Sequence, residues 1–304
     1  MKTKRSHLYK IAGLGLACAL LISSAWHPSV AQTAPAMPAR LEARNGVLPS
    51  AACPLDVYLL MDLTGSMGGE LAALQANSAL ITSTLLADNP NTRFGIGWFQ
   101  DYPISSYGTA DDRPYVRELD LTTDTLLFTA VLNSLGLGNG WDLPESQLPA
   151  LYNTVTGEGD IYIPAGQQAN FRSQAAKVIV LVTDAPFHDG DYQIPGAVPP
   201  NSAQTAAALQ ALPRAQVLGI FSNPDDPEYI IDLVSIVQAS GSLAPAGGVD
   251  CNGDETPDIL EGQPLVCTIP AAGTGLADVF VTLVETVSDC RAYLPLLNRA
   301  PSLP

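Results

Sequence analysis

Residues 55–67 read Leu-Asp-Val-Tyr-Leu-Leu-Met-Asp-Leu-Thr-Gly-Ser-Met, and this stretch decides the fold. Its first seven residues form a short, nearly continuous apolar run, the pattern of a strand buried on both faces of a parallel sheet. A turn at Gly65–Gly69 follows, and residues 70–86 (ELAALQANSALITSTLL) then space their apolar side chains helically. The alternation continues outward. Arg93–Phe99 (RFGIGWF) reads as a second buried strand, Tyr115–Leu121 alternates like an edge or hairpin partner of it, and Thr125–Leu135 reads as helix. Lys177–Val182 (KVIVLV) is the strongest central strand in the chain. Ser202–Leu212 is an Ala-rich helix stopped by Pro213, Gln216–Phe221 another buried strand, Pro227–Ala239 a helix and Leu276–Val287 a final amphipathic helix. Strands alternating with helices predict an α/β fold with a doubly wound, mostly parallel sheet flanked by helices.

The ends read differently from this body. Lys2, Lys4, Arg5 and Lys10 precede the apolar run 11–25, and Ser29-Val30-Ala31 is a small-x-small cleavage pattern, so residues 1–31 are expected to be a signal peptide. The run is short for a membrane span. A lipid-modified Cys18 is the alternative, but Gly15 stands where such a motif carries Leu. Residues 32–52 are Ala, Pro and polar residues without periodicity, a flexible lead-in, and 291–304 is a Pro-rich tail containing Tyr293–Leu297 (YLPLL). The domain is expected over 53–290, secreted or held at the cell surface, and no later run is apolar enough to cross a bilayer.

The whole chain has 14 basic and 30 acidic residues, a net charge of −16; without residues 1–31 it has 10 basic and 30 acidic, net −20. That balance disfavours nucleic acid, whose affinity comes from neutralised phosphates, and favours cations. Cys53, Cys251, Cys267 and Cys290 remain, an even count that reads as two disulfides with three possible pairings. The expected pairing is Cys53–Cys290 across the domain ends and Cys251–Cys267 around a short loop.

In an open α/β sheet, ligands bind beyond the carboxyl ends of the strands. Three oxygen-rich segments fall there: Asp62-Leu63-Thr64-Gly65-Ser66, Asp142-Leu143-Pro144-Glu145 and Thr183-Asp184. Alternate positions 62, 64 and 66 can face one point with a carboxylate and two hydroxyls, hard donors suited to Mg²⁺ or Ca²⁺. Taken alone, Asp62 and Ser66 read equally well as caps of the following helix.

Together, in order, these segments resemble the von Willebrand factor A domain family, and within it the integrin β-subunit I-like domain. The resemblance is carried by DVYLLMDLTGSM (56–67), RFGIGWFQDYP (93–103), DLPE (142–145) and VIVLVTDAPFH (178–188), and runs from about Leu55 to Val287. It implies a Rossmann-like fold with a metal-ion-dependent adhesion site, in which Asp62, Thr64, Ser66, Glu145 and Asp184 hold Mg²⁺ or Mn²⁺. It implies a second cation site, for Ca²⁺, from Asp101, Asp142, the Pro144 carbonyl and Glu145. The family's Asn ligand of that second site is replaced by Gly140, with Asn139 one position off. The family's third site uses two consecutive aspartates where Gly69 and Glu70 stand, so Glu70 alone could serve it. The ligand-selecting loop of integrins, with its own disulfide, has no counterpart in the short, Cys-free residues 103–114. His188 reads as a structural loop histidine, since no nucleophile accompanies it.

Residues 250–261 (DCNGDETPDILE) place Asp250, Asn252, Asp254, Thr256, Asp258 and Glu261 at positions 1, 3, 5, 7, 9 and 12 of a calcium-loop pattern, with Glu255 where Gly is usual. The segment 250–267 is expected to be a Ca²⁺-binding insertion, or else a solvated acidic turn braced by its disulfide. The functional expectation is a non-enzymatic adhesion or ligand-binding module that captures an exposed Asp or Glu of a protein partner through its metal. The alternatives are a Ca²⁺-stabilised envelope component without such a ligand, and a metal-dependent hydrolase.

Overall fold

The structure is a computed structural model that describes residues 53–190 and 193–288. The expected signal peptide, the lead-in, the tail and Cys290 lie outside these residues. Six strands form one sheet: β1 (Leu55–Asp62), β2 (Thr92–Phe99), β3 (Val116–Thr122), β4 (Ala176–Thr183), β5 (Ala215–Phe221) and β6 (Val266–Thr268). Their order is β3-β2-β1-β4-β5-β6, and every pair is parallel except β2 with β3. The helices are α1 (Gly68–Asp88), α2 (Thr125–Ser134), α3 (Gln147–Thr156), α4 (Ser202–Ala211), α5 (Ile231–Ala239) and α6 (Leu276–Val287).

Every residue of β1 and of β4 is buried. This is why both read as unbroken apolar runs rather than as alternating ones. Helix α1 packs with α2 and α6, while α4 packs with α3 and α5. The chain winds from β1 through α1 to β2 on one side, and from β4 through α4 to β5 on the other. Right-handed crossovers in opposite directions put these two helix groups on opposite faces. They also make the gap between β1 and β4 the point where the winding reverses, and a crevice opens there beyond the carboxyl ends of the strands.

Local chemistry sets the element ends. The Asp124 carboxylate caps α2 by accepting the Leu127 amide at 3.0 Å, and Asn201 with Gln204 forms a reciprocal capping box on α4. The helix predicted from Pro227 begins only at Ile231. Hydrogen bonds from the Asp226 amide to the Asn223 carbonyl and from the Tyr229 amide to the Asp226 carbonyl hold residues 223–229 in turns instead. Strand β6 escapes the sequence reading because three residues carry no period. It is pinned by the Cys251–Cys267 disulfide, which hangs the 250–261 loop on this edge strand. Cys53 is disulfide-bonded, but its expected partner Cys290 is not among the described residues.

Two features stiffen the sheet centre. Asp56, fully buried in β1, is paired with Arg172: its Oδ1 accepts Nε at 2.7 Å and its Oδ2 accepts the Arg172 amide at 2.6 Å. Tyr58 lies across Gly95 and Gly97 of β2, where an added Cβ would meet its ring at 2.7 Å and its hydroxyl oxygen at 2.5 Å. These glycines are therefore required by close approach. Gly97→Ala is expected to cost about 1–3 kcal/mol in urea unfolding through overpacking. Combined with Tyr58→Leu, the cost should fall below the sum of the two single changes; strict additivity would show that the ring and the glycine are not in contact.

Candidate metal centre

The carboxyl end of β1 delivers Asp62 and that of β4 delivers Asp184. Asp62 is completely buried. Its Oδ1 accepts the Thr64 amide at 2.9 Å and the Thr64 hydroxyl at 2.7 Å, and its Oδ2 accepts the Thr183 hydroxyl at 2.8 Å. Gln147 in turn donates to Thr183 Oγ1 at 3.0 Å, which holds that hydroxyl in position. The chain then turns through a single 3₁₀ turn, Gly65–Met67, so that Ser66 comes back toward β4. Its hydroxyl donates to Asp184 Oδ1 at 3.1 Å and lies 3.5 Å from Thr64 Oγ1. Neither Thr64 nor Ser66 caps a helix through its side chain, and Asp62 lies in the strand. The capping alternative for this loop is thus not the arrangement seen.

The second segment arrives from the side. The Glu145 amide donates to the Pro186 carbonyl at 3.0 Å, and the His188 amide donates to the Glu145 carbonyl at 3.2 Å. Residues 142–145 are thereby zipped to the segment that follows β4. Glu145 is 4% exposed, and its Oε2 has no hydrogen-bond partner. Gly140 sits at φ +63°, and a Cβ there would approach Glu145 Oε1 to 2.8 Å. A side chain at position 140 therefore conflicts with Glu145 where it stands. Asp101 follows β2; its Oδ1 accepts the Tyr102 amide at 2.6 Å and the Ser146 hydroxyl at 2.7 Å.

Five carboxylates thus converge. Burial raises the proton affinities of Asp62, Asp142, Glu145 and Asp184, and neighbouring charge adds to this at Asp62, Asp142 and Glu145. Burial, and then the charges of Asp62, Asp101, Asp142 and Asp112, push Glu145 up to about 11. Burial and the Asp184 charge raise Asp62 to about 7. Burial raises Asp184, and burial with the Asp101 charge raises Asp142. Acids held this far above their ordinary range are stabilised by protons or by a cation. Thr64, Ser66, Asp142, Glu145 and Asp184 line a cleft of about 410 Å³, rimmed by exposed Trp141 and Leu143, so the cluster is reachable from solvent.

The remaining candidates fall in three places. Pro144 lies within the 142–145 segment at the cleft. Glu70 is buried in the first turn of α1, where burial raises its carboxyl; the Asp184 charge pushes the same way. In the 250–261 loop, Asp250 accepts the amides of Asn252, Gly253 and Glu255, Asp254 accepts the Thr256 amide, and Asp258 accepts the Cys251 amide and the Asn252 side chain. Glu255 adopts φ +70°, the left-handed conformation that glycine supplies in calcium loops. The sequence reading takes His188 as structural and gives no separate role to Thr183 or Ser146. His188 is 3% exposed, and its Nε2 lies 3.0 Å from Asp142 Oδ2 and 3.6 Å from Asp101 Oδ2. Among the described residues, Asp101, Asp142 and His188 form a group that could hold a metal ion. The VTDAPFH segment contained this signal; what hid it was the absence of any sequence proximity between residues 101, 142 and 188.

The family model of the integrin beta chain VWA domain matches residues 50–212. Integrin beta pat-3 of Caenorhabditis elegans is 27% identical over 163 residues, 49% of this chain and 19% of that protein. Integrin beta-PS of Drosophila melanogaster is 25% identical over 165 residues, 50% of this chain and 19% of that protein. The match thus spans about a fifth of the length of these curated relatives. The pilus adhesin SpaC from Lactobacillus rhamnosus GG, in its open conformation, superposes with a TM-score of 0.47 at 10% identity, over 78% of this chain and 30% of that one.

The raised carboxyls predict a pH signature. Asp62 and Glu145 bind protons more tightly folded than unfolded, so the folded chain carries more protons. Its metal-free stability then falls as pH rises from the unfolded carboxylate range near 4, through about 7 for Asp62 and on toward about 11 for Glu145. Bound metal requires deprotonated ligands, so its stabilisation grows over the same interval. In EDTA the Tm is expected to fall between about pH 5 and about pH 8, and Mg²⁺ is expected to raise Tm more at the higher pH. A Tm in EDTA that climbs over this interval would count against the reading.

Proposed function

The chain belongs to the integrin beta chain VWA domain family, and from that premise we propose that it is a metal-dependent adhesion or ligand-binding module acting outside the cell or at its surface. Asp62, Thr64, Ser66, Glu145 and Asp184 are the residues proposed to hold a divalent cation, Mg²⁺ or Mn²⁺. The observation that carries this is the convergence of Asp62, Ser66 and Asp184 beside a buried Glu145 whose Oε2 has no partner, at the mouth of an open cleft. These donors are hard oxygens, which fit such an ion. The bound ion supplies a positively charged position at which an Asp or Glu carboxylate of a protein partner can bind.

Each residue has a separable part in that scheme. Asp62 holds Thr64 through two hydrogen bonds and so orients both hydroxyls of the loop. Thr183 and Gln147 keep the Asp62 carboxylate from turning away. Asp184 and Ser66 meet across the gap between β1 and β4 and form the open face. Asp101, Asp142, Pro144 and Glu145 are proposed to hold a second cation, and Glu145, shared between the two sets, couples them. The resemblance implies Ca²⁺ at this second site. Export by a cleaved segment 1–31 is part of the same proposal, consistent with the disulfide at Cys251–Cys267 and the acidic net charge.

A second reading takes its support from the 250–261 loop, whose left-handed turn at Glu255 suits a Ca²⁺ loop. Under it, Ca²⁺ stabilises an envelope component that captures no carboxylate. A random peptide library panned on Mg²⁺-loaded protein separates the two. Adhesion predicts enriched peptides that carry Asp or Glu, are released by EDTA, and are lost in Asp184→Ala. That variant should also lower Mg²⁺ affinity by more than about tenfold while keeping its circular dichroism. Peptides enriched equally in EDTA, or retained by Asp184→Ala, would sink the adhesion reading.

A further inference from the structure

The second cluster differs from an all-oxygen calcium site in a way that bears on which ion it takes. Gly140 offers no side chain, and its close approach to Glu145 leaves no room for one. His188 reaches Asp101 and Asp142 of the same cluster. It is almost fully buried, its ring stands edge-on to Tyr107 with centroids 5.2 Å apart, and its amide is tied to the Glu145 carbonyl. Its Nε2 lies 3.0 Å from one Asp142 oxygen and 3.6 Å from one Asp101 oxygen. Donors that share an ion at about 2.1 Å sit roughly 3 to 3.5 Å apart; the first separation falls in that range and the second is about 0.1 Å beyond it, so a small shift places all three donors in a common ligand shell. Independently, Glu145 is buried with Oε2 unpartnered, and it lies close enough to Asp101 and Asp142 for their charges to act on it.

We propose that His188 is a ligand of the second cation site, completing Asp101, Asp142 and Glu145 with an imidazole nitrogen, and that the site therefore selects a transition ion of the Mn²⁺-to-Zn²⁺ class over Ca²⁺. Calcium takes six to eight oxygens and gains little from an imidazole, whereas Mn²⁺ and Zn²⁺ accept mixed nitrogen and carboxylate shells with fewer ligands. The hydrogen bond between His188 and Asp142 gives way to a shared ion when the ring nitrogen is deprotonated. The inference rests on reading the Asp101–Asp142–Glu145 cluster as a cation site, but not on the identity of the adhesive ligand.

The test uses the full chain without a histidine tag, with His7→Gln and His27→Gln, so that His188 is the sole imidazole among the three histidines of the sequence. Pulsed electron paramagnetic resonance of bound Mn²⁺ should show ¹⁴N coupling of a directly bound imidazole. Displacing that coupled Mn²⁺ should take more than about 100-fold more Ca²⁺ than Zn²⁺. In His188→Asn, which replaces nitrogen by an amide oxygen, the coupling should vanish and the preference for Zn²⁺ over Ca²⁺ should fall at least about tenfold. If that variant does not fold, the coupling in the His188-containing chain decides alone. Bound Mn²⁺ without nitrogen coupling, or equal displacement by Ca²⁺ and Zn²⁺, would overturn the proposal. Failure to bind a second equivalent would overturn it together with the second site. The site centred on Asp62 and Asp184, followed in Asp184→Ala, would still report separately on the adhesion reading.

Discussion

Mutual repulsion among carboxylates gathered at the carboxyl edge of β1 and β4 is the constraint on which the rest of this structure depends. Asp62, Asp101, Asp142, Glu145 and Asp184 come from four separate segments. Two like charges about 4 Å apart repel by about 1 kcal/mol in water and several-fold more in a partly buried setting. Such a cluster persists only if something rigid holds each group and something positive offsets the charge. The hydroxyls of Thr64, Thr183 and Ser146 and the amides of Thr64 and Tyr102 supply the first requirement. Protons or a bound cation can supply the second.

The strand β1 shows the contrast within eight residues. Asp56 and Asp62 are both fully buried. Asp56, at the amino end, is neutralised by the Arg172 guanidinium, which also reaches the carbonyls of Leu55 and Asn91. It is a structural ion pair that closes the back of the sheet. Asp62, at the carboxyl end, accepts hydrogen bonds from Thr64 and Thr183, neither of them charged. The same residue type is thus a fastening at one end of a strand and part of a candidate site at the other. The difference lies entirely in what the tertiary fold brings to it.

The periphery follows the same economy. Strand β6 is only three residues long, yet it carries Cys267 and so anchors the 250–261 loop. The segment 142–145 has no regular structure, yet two backbone hydrogen bonds fasten it to the residues after β4 and bring Glu145 between two sets of donors. Residues 103–114 stay short; the Gln100 amide donates to the Arg113 carbonyl and the Thr109 amide to Asp112, which folds this loop onto itself.

Periodicity alone made the scaffold legible. The runs at 55–61, 93–99, 177–182 and 216–221 are strands within a residue or two, because a strand buried on both faces has no choice but to be apolar. The DLTGS loop and the Asp after β4 were legible as candidate oxygen donors because each stands at the end of such a run; DLPE, which lies between α2 and α3 and follows no strand, was legible only together with them. Less legible were the late start of α5, where turns at 223–229 displace helix, the three-residue β6, and the place of His188 beside Asp101 and Asp142. Sequence determines which segments are strands and which carry charge, since those follow from nearest neighbours and burial. Only the tertiary structure decides which charges meet. Residues 101, 142 and 188 are far apart along the chain, and the reversal of winding between β1 and β4 is what folds their segments over one crevice.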